Sequence, residues 1–291
     1  MVALSACGAA QRTPSRVLVS GALGYDVAIS EDGRRAAAVV LDTEFSLVWL
    51  ALPEGRVTAR VRLGDPAYDC ADVAVSGTRA AVVCRDGRVR VFEGTTLRLE
   101  ARLDGAATAV ALTPDYLVTG SSTGVLCLRR VGDGALLQCV SEHLGEISSL
   151  FVDGDVLTSG AHDGTIASWD LPSLRVRARW RVTGAVTAVT SRVVAVAERP
   201  PHLPDRGVGY LVWLDKPDQR TPTDAAPVAL GFARGRLVVA TWAPSLTVDG
   251  QRVGHFPHVL RGLAVAPDGT SLLVAGFSKD GRFTLTQFSG L

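Results

Sequence analysis

The chain has 291 residues and a formal net charge of +1, so its composition implies no field for binding nucleic acid or another polyanion. No apolar run approaches the ~18 residues of a membrane-spanning helix. Hydrophobic residues make up 47% of the chain but aromatic residues only 6%, which favours many thin sheets rich in alanine and valine over one bulky core.

Residues 1–15 differ in composition from the rest of the chain. Leu4-Ser5-Ala6-Cys7 has the form of a bacterial lipobox, in which the cysteine is lipidated, and the absence of asparagine indicates GC-rich coding DNA and a bacterial source. The basic and apolar segments that precede a lipobox are missing, so a misassigned start and a chance match both stay open. We interpret residues 1–15 as a tether and residues 16–291 as the folded domain.

From Arg16 onward the chain repeats one pattern: an apolar strand, a tight turn, a second strand, a Gly turn, a third strand and a more polar fourth. The first strands are predicted at 26–30, 72–76, 109–113, 149–153, 187–191, 227–231 and 262–266. They recur about every 40 residues, which is typical of propeller blades. Their central residues are alanine except Phe151, which indicates that the fourth unit is misaligned by one residue.

Residues 143–171 carry the clearest copy of the unit, HLGEISSLFVDGDVLTSGAHDGTIASWDL. A His opens it, Ser159-Gly160 and the Asp163-Gly164 turn follow, and Trp169-Asp170 closes it. The stretch resembles one repeat of the WD-repeat β-propeller family, which builds four-stranded blades. The resemblance implies that His143, Ser159, Asp163 and Trp169 form the structural tetrad that the family links by hydrogen bonds.

The two ends of the chain predict how the ring closes. The seventh unit has strands at 261–266, 271–277 and 282–288 but no fourth, whereas the strand at 16–20 has no unit. In the resembled family one terminus commonly completes the blade that the other begins, and this pairing leaves no open edge. We therefore predict an all-β, seven-bladed propeller of four-stranded antiparallel blades, with the N-terminal strand outermost in the last blade.

Several residue patterns resemble catalytic or metal sites. His143, Ser159 and Asp163 could form a hydrolase triad, but a buried hydroxyl and imidazole between strands must be hydrogen-bonded, which favours the tetrad. Residues 120–124 fit G-x-S-x-G, yet a strand follows where the nucleophile elbow requires a helix. His255 and His258 have no Cys or carboxylate partner nearby and make a weak metal site. We predict no catalytic residue, no cofactor and no metal.

Four of the five cysteines fall into two symmetric pairs. Cys70 and Cys84 flank the turn at 76–78, and Cys127 and Cys139 flank the turn at 132–134. Directly opposed residues of antiparallel strands lie within disulfide range. Two such pairs, with Cys7 left for a lipid, favour export to the cell envelope. The alternative is four reduced cysteines in the cytoplasm.

The longest irregular insertion, residues 198–206, is rich in proline and replaces a tight turn between two strands. In the resembled family such loops and the loops between blades share one face, called the top face. Aromatic and Arg side chains on exposed loops are typical interface anchors, although surface loops also vary without function. The candidate contact residues are Phe45, Arg85, His162, Arg199, His202, Arg206, Trp242 and Lys279.

Two functions fit this sequence. The first is a non-catalytic protein–protein interaction scaffold, expected to be a monomer by itself and attached to a membrane only if Cys7 is lipidated. The second is a propeller-type small-molecule-binding protein or a metal-dependent lactone hydrolase that uses the channel mouth. The second needs inward carboxylates, Asn or His, whereas this chain puts alanine at the narrow positions and has no asparagine.

Overall fold

A computed structural model describes residues 15–21, 23–64, 70–198, 207–243, 245–255, 259–277 and 281–289. Within these residues, 28 strands form seven four-stranded antiparallel sheets around a central channel. The predicted seven-bladed all-β propeller is therefore confirmed. In the part of the chain so described, no helix is long and apolar enough to cross a membrane.

The blades follow one another along the chain, and each begins with its innermost strand. Blades 1 and 2 contain β2 (Leu23–Ile29), β3 (Arg35–Leu41), β4 (Phe45–Ala51), β5 (Arg56–Gly64), β6 (Cys70–Ser76), β7 (Arg79–Cys84), β8 (Arg88–Glu93) and β9 (Thr96–Arg102). Blades 3 and 4 contain β10 (Ala107–Leu112), β11 (Tyr116–Ser121), β12 (Val125–Arg130), β13 (Leu136–Ser141), β14 (Ile147–Asp153), β15 (Val156–Ala161), β16 (Thr165–Asp170) and β17 (Arg175–Arg181).

Blades 5 and 6 contain β18 (Ala185–Val189), β19 (Val193–Ala197), β20 (Gly209–Trp213), β21 (Lys216–Thr223), β22 (Pro227–Ala233), β23 (Arg236–Thr241), β24 (Ser245–Val248) and β25 (Gln251–His255). Blade 7 contains β26 (Leu260–Val265), β27 (Ser271–Phe277), β28 (Phe283–Ser289) and the N-terminal strand β1 (Ser15–Gly21).

The N-terminal strand closes the ring as predicted. β1 pairs antiparallel with β28, with Arg16 opposite Gln287 and Val19 opposite Leu285. Val19 and Leu285 are both buried in the apolar layer between blades 7 and 1. The first and last strands therefore hold the same blade together, and no partner strand is missing from that sheet. The predicted tether lies almost entirely outside the described residues.

The core consists of seven apolar layers, one between each pair of neighbouring blades. The second and third strands of each blade are mostly buried on both faces, because each sheet is covered by a blade on either side. This burial explains the runs of Ala and Val, which read as continuous apolar segments rather than alternating ones. The fourth strands are largely exposed, and their sequences are accordingly polar.

The inferred misalignment at Phe151 is wrong. Each innermost strand carries a β-bulge near its start, and Phe151 lies in the same position relative to this bulge as Ala74 and Ala111. The residues that differ are Ala188 and Ala229, which follow their bulges directly and therefore lie two positions earlier. Phe151 is accommodated because it packs with the apolar layer between blades 4 and 5.

Hydroxyl groups at the bulges tie each of three blades to the next. Thr108 donates a hydrogen bond to the carbonyl of Ile147 at 2.7 Å, Ser148 to that of Val186 at 2.6 Å, and Thr187 to that of Pro227 at 2.7 Å. Each bond joins the innermost strands of neighbouring blades. The channel wall is therefore held by polar contacts as well as by apolar packing.

Both predicted cysteine pairs are disulfides in the structure. Cys70 and Cys84 are opposite each other on β6 and β7, and both are buried. Cys127 and Cys139 are opposite each other on β12 and β13, and Cys139 is exposed on the outer strand. The second bridge therefore fastens the outermost strand of blade 3 to its neighbour.

Candidate interaction face

The four tetrad residues of blade 4 are joined by one chain of hydrogen bonds. Trp169 Nε1–H donates to Ser159 Oγ at 2.9 Å, and Ser159 Oγ lies 2.7 Å from His143 Nε2. His143 Nδ1 does not meet Asp163 directly but contacts Thr165 Oγ1 at 2.6 Å. Thr165 Oγ1 in turn donates to Asp163 Oδ1 at 2.6 Å. Thr165, which the spacing of the tetrad residues did not indicate, completes the link between the imidazole and the carboxylate.

The direction of this chain fixes the state of His143. Because the single hydroxyl proton of Thr165 goes to Asp163, Thr165 Oγ1 accepts from His143 Nδ1–H, and His143 Nε2 accepts from Ser159. Burial lowers the pKa of His143 more than the nearby Asp163 raises it, which favours this neutral ring. Burial raises the pKa of Asp163, but hydrogen bonds from Thr165 and Leu144 outweigh it and hold that pKa below its usual value.

The tetrad is built for structure rather than for attack on a substrate. Ser159 is 0% exposed and His143 3% exposed, so a substrate has no access to the hydroxyl that a triad would use. Gly164, at the Asp163-Gly164 turn, has a φ of 82°, a left-handed conformation that favours glycine. The turn and the tetrad together hold Asp163 in contact with the loop that follows β13.

That loop presents an exposed apolar side chain that no sequence pattern indicated. The backbone N–H of Leu144 donates to Asp163 Oδ2 at 2.8 Å, while the Leu144 side chain is 86% exposed. Leu144 is the most exposed large hydrophobic residue in the part of the chain that the structure describes. A rigid backbone that displays an exposed leucine is the arrangement expected of an interface anchor.

Arg85 and His162 lie on the same face as Leu144, on loops between the second and third strands of blades 2 and 4. Both residues are exposed. Arg85 Nη2 forms an ion pair with Glu146 Oε1 at 3.2 Å, and the His162 backbone N–H donates to the Glu146 carbonyl at 2.9 Å. Glu146 therefore links these two loops to the segment that carries Leu144.

Trp242 lies on the corresponding loop of blade 6 and is half-buried. The Arg261 guanidinium lies 4.8 Å from the centroid of the Trp242 ring and 5.7 Å from that of Phe277. Arg261 also lines the central channel. Trp242, Arg261 and Phe277 thus form an arginine–aromatic stack, of which only Trp242 was predicted, because Arg261 and Phe277 belong to strands.

The prediction that Phe45 is an exposed contact residue is wrong. Phe45 is the first residue of β4 and is only 1% exposed, because it packs in the layer between blades 1 and 2 with Trp49 and Cys84. The remaining predicted sites lie outside the described residues: Cys7, Arg199, His202, Arg206 and Lys279.

The central channel has a volume of about 690 Å³ and is lined by the innermost strands. The predicted alanines line this channel, and so do two carboxyl groups that the sequence pattern did not indicate: Asp26, within the bulge of blade 1, and Asp72, directly after the bulge of blade 2. Asp72 Oδ2 accepts from the Val110 N–H of blade 3 at 2.8 Å, and Asp26 accepts from the Val73 N–H of blade 2. The two carboxyl groups also bond to each other.

The acid pair is therefore accounted for by contacts between blades. Ser149 makes the equivalent bond from blade 4, where its Oγ accepts from the Val189 N–H at 3.2 Å. The described residues contain no group of three or more His, Cys, Asp or Glu side chains that could hold a metal ion.

Comparisons with known proteins agree with this fold. Residues 134–170 match the model of the WD domain, G-beta repeat. This match spans β13 to β16, that is, the outer strand of blade 3 and three strands of blade 4, including the whole tetrad. No curated protein matches the chain.

Among solved structures, the chain is similar to one titled "Structure of U3-55K". The TM-score is 0.76 with 13% sequence identity, and the alignment covers 97% of this chain and 100% of the other. At this identity the likeness establishes the fold alone. The class defined by the fold is a seven-bladed β-propeller, and its fourth blade contains most of the segment that matches the WD-repeat model.

Proposed function

We propose that this protein is a non-catalytic protein–protein interaction scaffold that binds its partner on the top face. Leu144 carries the proposal: an 86% exposed leucine on a backbone that the tetrad fixes in place. Proteins of this fold class generally bind protein partners. The arginine–aromatic stack supplies a second anchor of the residue types enriched in binding hot spots.

We expect Leu144→Asp and Trp242→Ala each to reduce the capture of the natural partner from source extract by at least about tenfold. Each substitution removes one central anchor, and truncating a hot-spot residue costs about 1–2 kcal/mol or more. Affinity capture with quantitative mass spectrometry measures the loss. The melting temperature of the Leu144 variant should stay nearly constant, because Leu144 is exposed and buries almost no surface in the free protein.

Leu97→Asp is the matched control, since Leu97 is 46% exposed but lies on outer strand β9, away from the top face. This variant should capture the partner normally. Full capture by both top-face variants, or an equal loss in the Leu97 variant, would exclude the proposed face.

We also propose that the protein is exported and that Cys7 anchors it to the bacterial cell envelope through a lipid. Two disulfides in one domain support an oxidising compartment, because cytoplasmic thiols are kept reduced. The lipid itself rests on the lipobox-like sequence Leu4–Cys7 alone. In-frame DNA upstream of Met1 that encodes a basic start and an apolar run would support it further.

Free-thiol counting tests the export proposal. Protein isolated from its source under non-reducing conditions and then denatured should expose at most the thiol of Cys7, because the other four sulfurs are joined. Alkylation followed by intact-mass measurement gives the count. Reactive thiols at Cys70, Cys84, Cys127 and Cys139 would contradict export, and protein denatured with a reductant is the positive control.

A further inference from the structure

The outer strand of each blade leaves one row of backbone N–H and C=O groups without a strand partner. Natural sheets protect such edges from pairing with another chain by placing charged residues or proline on them. Six of the seven outer strands of the described chain follow this rule. Their basic residues include Arg16 in β1, Arg60 in β5, Arg98 in β9, Arg177 in β17, Lys216 in β21 and Arg252 in β25.

Strand β13 of blade 3 is the exception. Its sequence, Leu-Leu-Gln-Cys-Val-Ser, has no charged residue and no proline, and Leu136 and Leu137 are 51% and 40% exposed. A bulge at Leu137 does not set it apart, because β9 and β17 carry bulges at the equivalent positions, where the bulged residues are Arg98 and Arg177. The unprotected edge is therefore a property of the sequence of β13.

The Cys127–Cys139 disulfide adds a second feature. It fastens the middle of β13 to β12, so that this edge is held in strand conformation before any partner arrives. Ordering an edge strand in advance reduces the entropy lost on pairing. An exposed, uncharged and preorganised edge is suited to adding a strand.

We propose that β13 joins two copies of this chain. The two β13 strands would pair antiparallel across a two-fold axis near Gln138, and the sheets of the two blades 3 would become one eight-stranded sheet. This inference goes beyond the proposed scaffold function, which uses the top face, and it departs from the expected monomer. It is independent of the partner that the top face binds.

Charge complementarity favours a second copy over an unrelated strand. At one end of β13, Arg130 pairs with Asp133 at 2.7 Å, and at the other end Glu142 pairs with Arg179 at 2.9 Å. A two-fold axis places the first end of one copy beside the second end of the other. Glu142 then approaches Arg130 of the other copy, and Asp133 approaches Arg179.

Outer strand β17 of the neighbouring blade lacks this self-complementarity. Its four arginines at 175, 177, 179 and 181 would lie against the same four arginines of a second copy. Like charges on directly opposed residues destabilise a strand pair. Self-pairing of β17 is therefore disfavoured, whereas β13 contains no charged residue that would oppose it.

Sedimentation velocity over a range from about 1 μM to several hundred μM tests the proposal. All chains carry Cys7→Ser, so that a disulfide between copies through Cys7 cannot imitate the interface. The mass should rise from 30.5 kDa toward twice that value as concentration increases. A one-strand interface lies at the small end of specific interfaces, so the association should be weak and reversible.

Charge substitutions near the axis make the test specific. Because Gln138 faces its own copy or a residue one or two positions away, Gln138→Glu and Gln138→Lys should each weaken association by at least about fivefold. An equimolar mixture of the two variants should associate again, since opposite charges then face each other. The matched controls are Leu97→Glu and Leu97→Lys on β9, which should associate like the parent chain.

A parent chain that stays at 30.5 kDa at every concentration overturns the proposal. The same holds if the mixture of the two Gln138 variants shows no recovery, or if the Leu97 variants weaken association equally. Melting temperatures of all five chains must agree within a few degrees, which confirms that each substitution acts at the edge rather than on folding.

Discussion

Replacing Ser159 with alanine should lower the free energy of unfolding by about 3 kcal/mol. The substitution removes the oxygen that accepts from Trp169 Nε1–H at 2.9 Å and the hydroxyl that lies 2.7 Å from His143 Nε2. Both groups are at least 97% buried, so water cannot replace the lost partner. A buried polar group left without a partner costs about 1–3 kcal/mol, and here there are two. Urea unfolding followed by circular dichroism measures the change.

Ser173→Ala is the control for this prediction. Ser173 is an exposed serine in the turn before β17, and its hydroxyl makes two long bonds, donating to the Asp170 carbonyl at 3.5 Å and accepting from the Arg175 N–H at 3.4 Å. Its replacement should change the free energy of unfolding by less than about 0.5 kcal/mol. Equal effects at the two serines would show that the tetrad adds nothing beyond an ordinary surface hydrogen bond.

The arrangement of the blades could be predicted from the sequence because every blade repeats nearly the same pattern of buried and exposed strands. An innermost strand with small residues, two strands buried on both faces and an exposed fourth strand leave a periodic signal about every 40 residues. Closure by β1 was predictable for a related reason: residues 261–288 hold three strands and residues 16–20 hold one. A single pairing satisfies both ends.

The contacts between blades could not be predicted in the same way. Asp26 belongs to blade 1, yet its carboxyl group is positioned by Asp72 and Val73 of blade 2. Nothing within either repeat signals that contact, because it depends on how two sheets are packed. The burial of Phe45 could not be predicted for the same reason. Its position next to the turn before β4 indicated an exposed loop residue, whereas the neighbouring blade covers its side chain.

The candidate interaction face was predicted only in outline. The tetrad could be recognised from residue types at fixed spacing, but Thr165 occupies the site between His143 and Asp163 that a spacing rule assigns to a direct bond. The exposure of Leu144 could not be predicted, because the residue type alone does not distinguish an exposed leucine from a buried one. Its significance comes from the backbone bond to Asp163 combined with its exposure.

The acid pair in the channel gives the stability of this protein a definite dependence on pH. Burial raises the pKa of Asp26 well above its usual value, and the charge of Asp72 and the bond to it raise the pKa further. Burial also raises the pKa of Asp72, against hydrogen bonds from Asp26, Val110 and Val73 that lower it. Asp26 is therefore the carboxyl group that stays protonated, and it donates a hydrogen bond to the carboxylate of Asp72.

Because folding raises the pKa of Asp26, the acid pair makes the protein less stable as the pH rises. A carboxyl group whose pKa is raised on folding stabilises the protein fully below its unfolded pKa of about 3.9, and this stabilisation is lost as the pH rises through the folded pKa. Asp26→Asn removes the titration and leaves an amide that still donates to Asp72 and accepts from Val73. The variant should match the parent chain near pH 4 and exceed its free energy of unfolding by about 1–3 kcal/mol at pH 9.

Urea unfolding at intervals between pH 4 and pH 9 measures this difference. Glu31, Asp153 and Arg261 line the same channel, and their contribution to the pH dependence cancels because both chains contain them. Asp249→Asn is the control with the opposite sign. Its exposed carboxylate accepts from Arg236 and from the Leu237 N–H, which lower its pKa, so its stabilising effect is present at neutral pH and is lost toward acid. An Asp26→Asn difference that is constant from pH 4 to pH 9 would show that the two carboxyl groups do not share a proton in the folded protein.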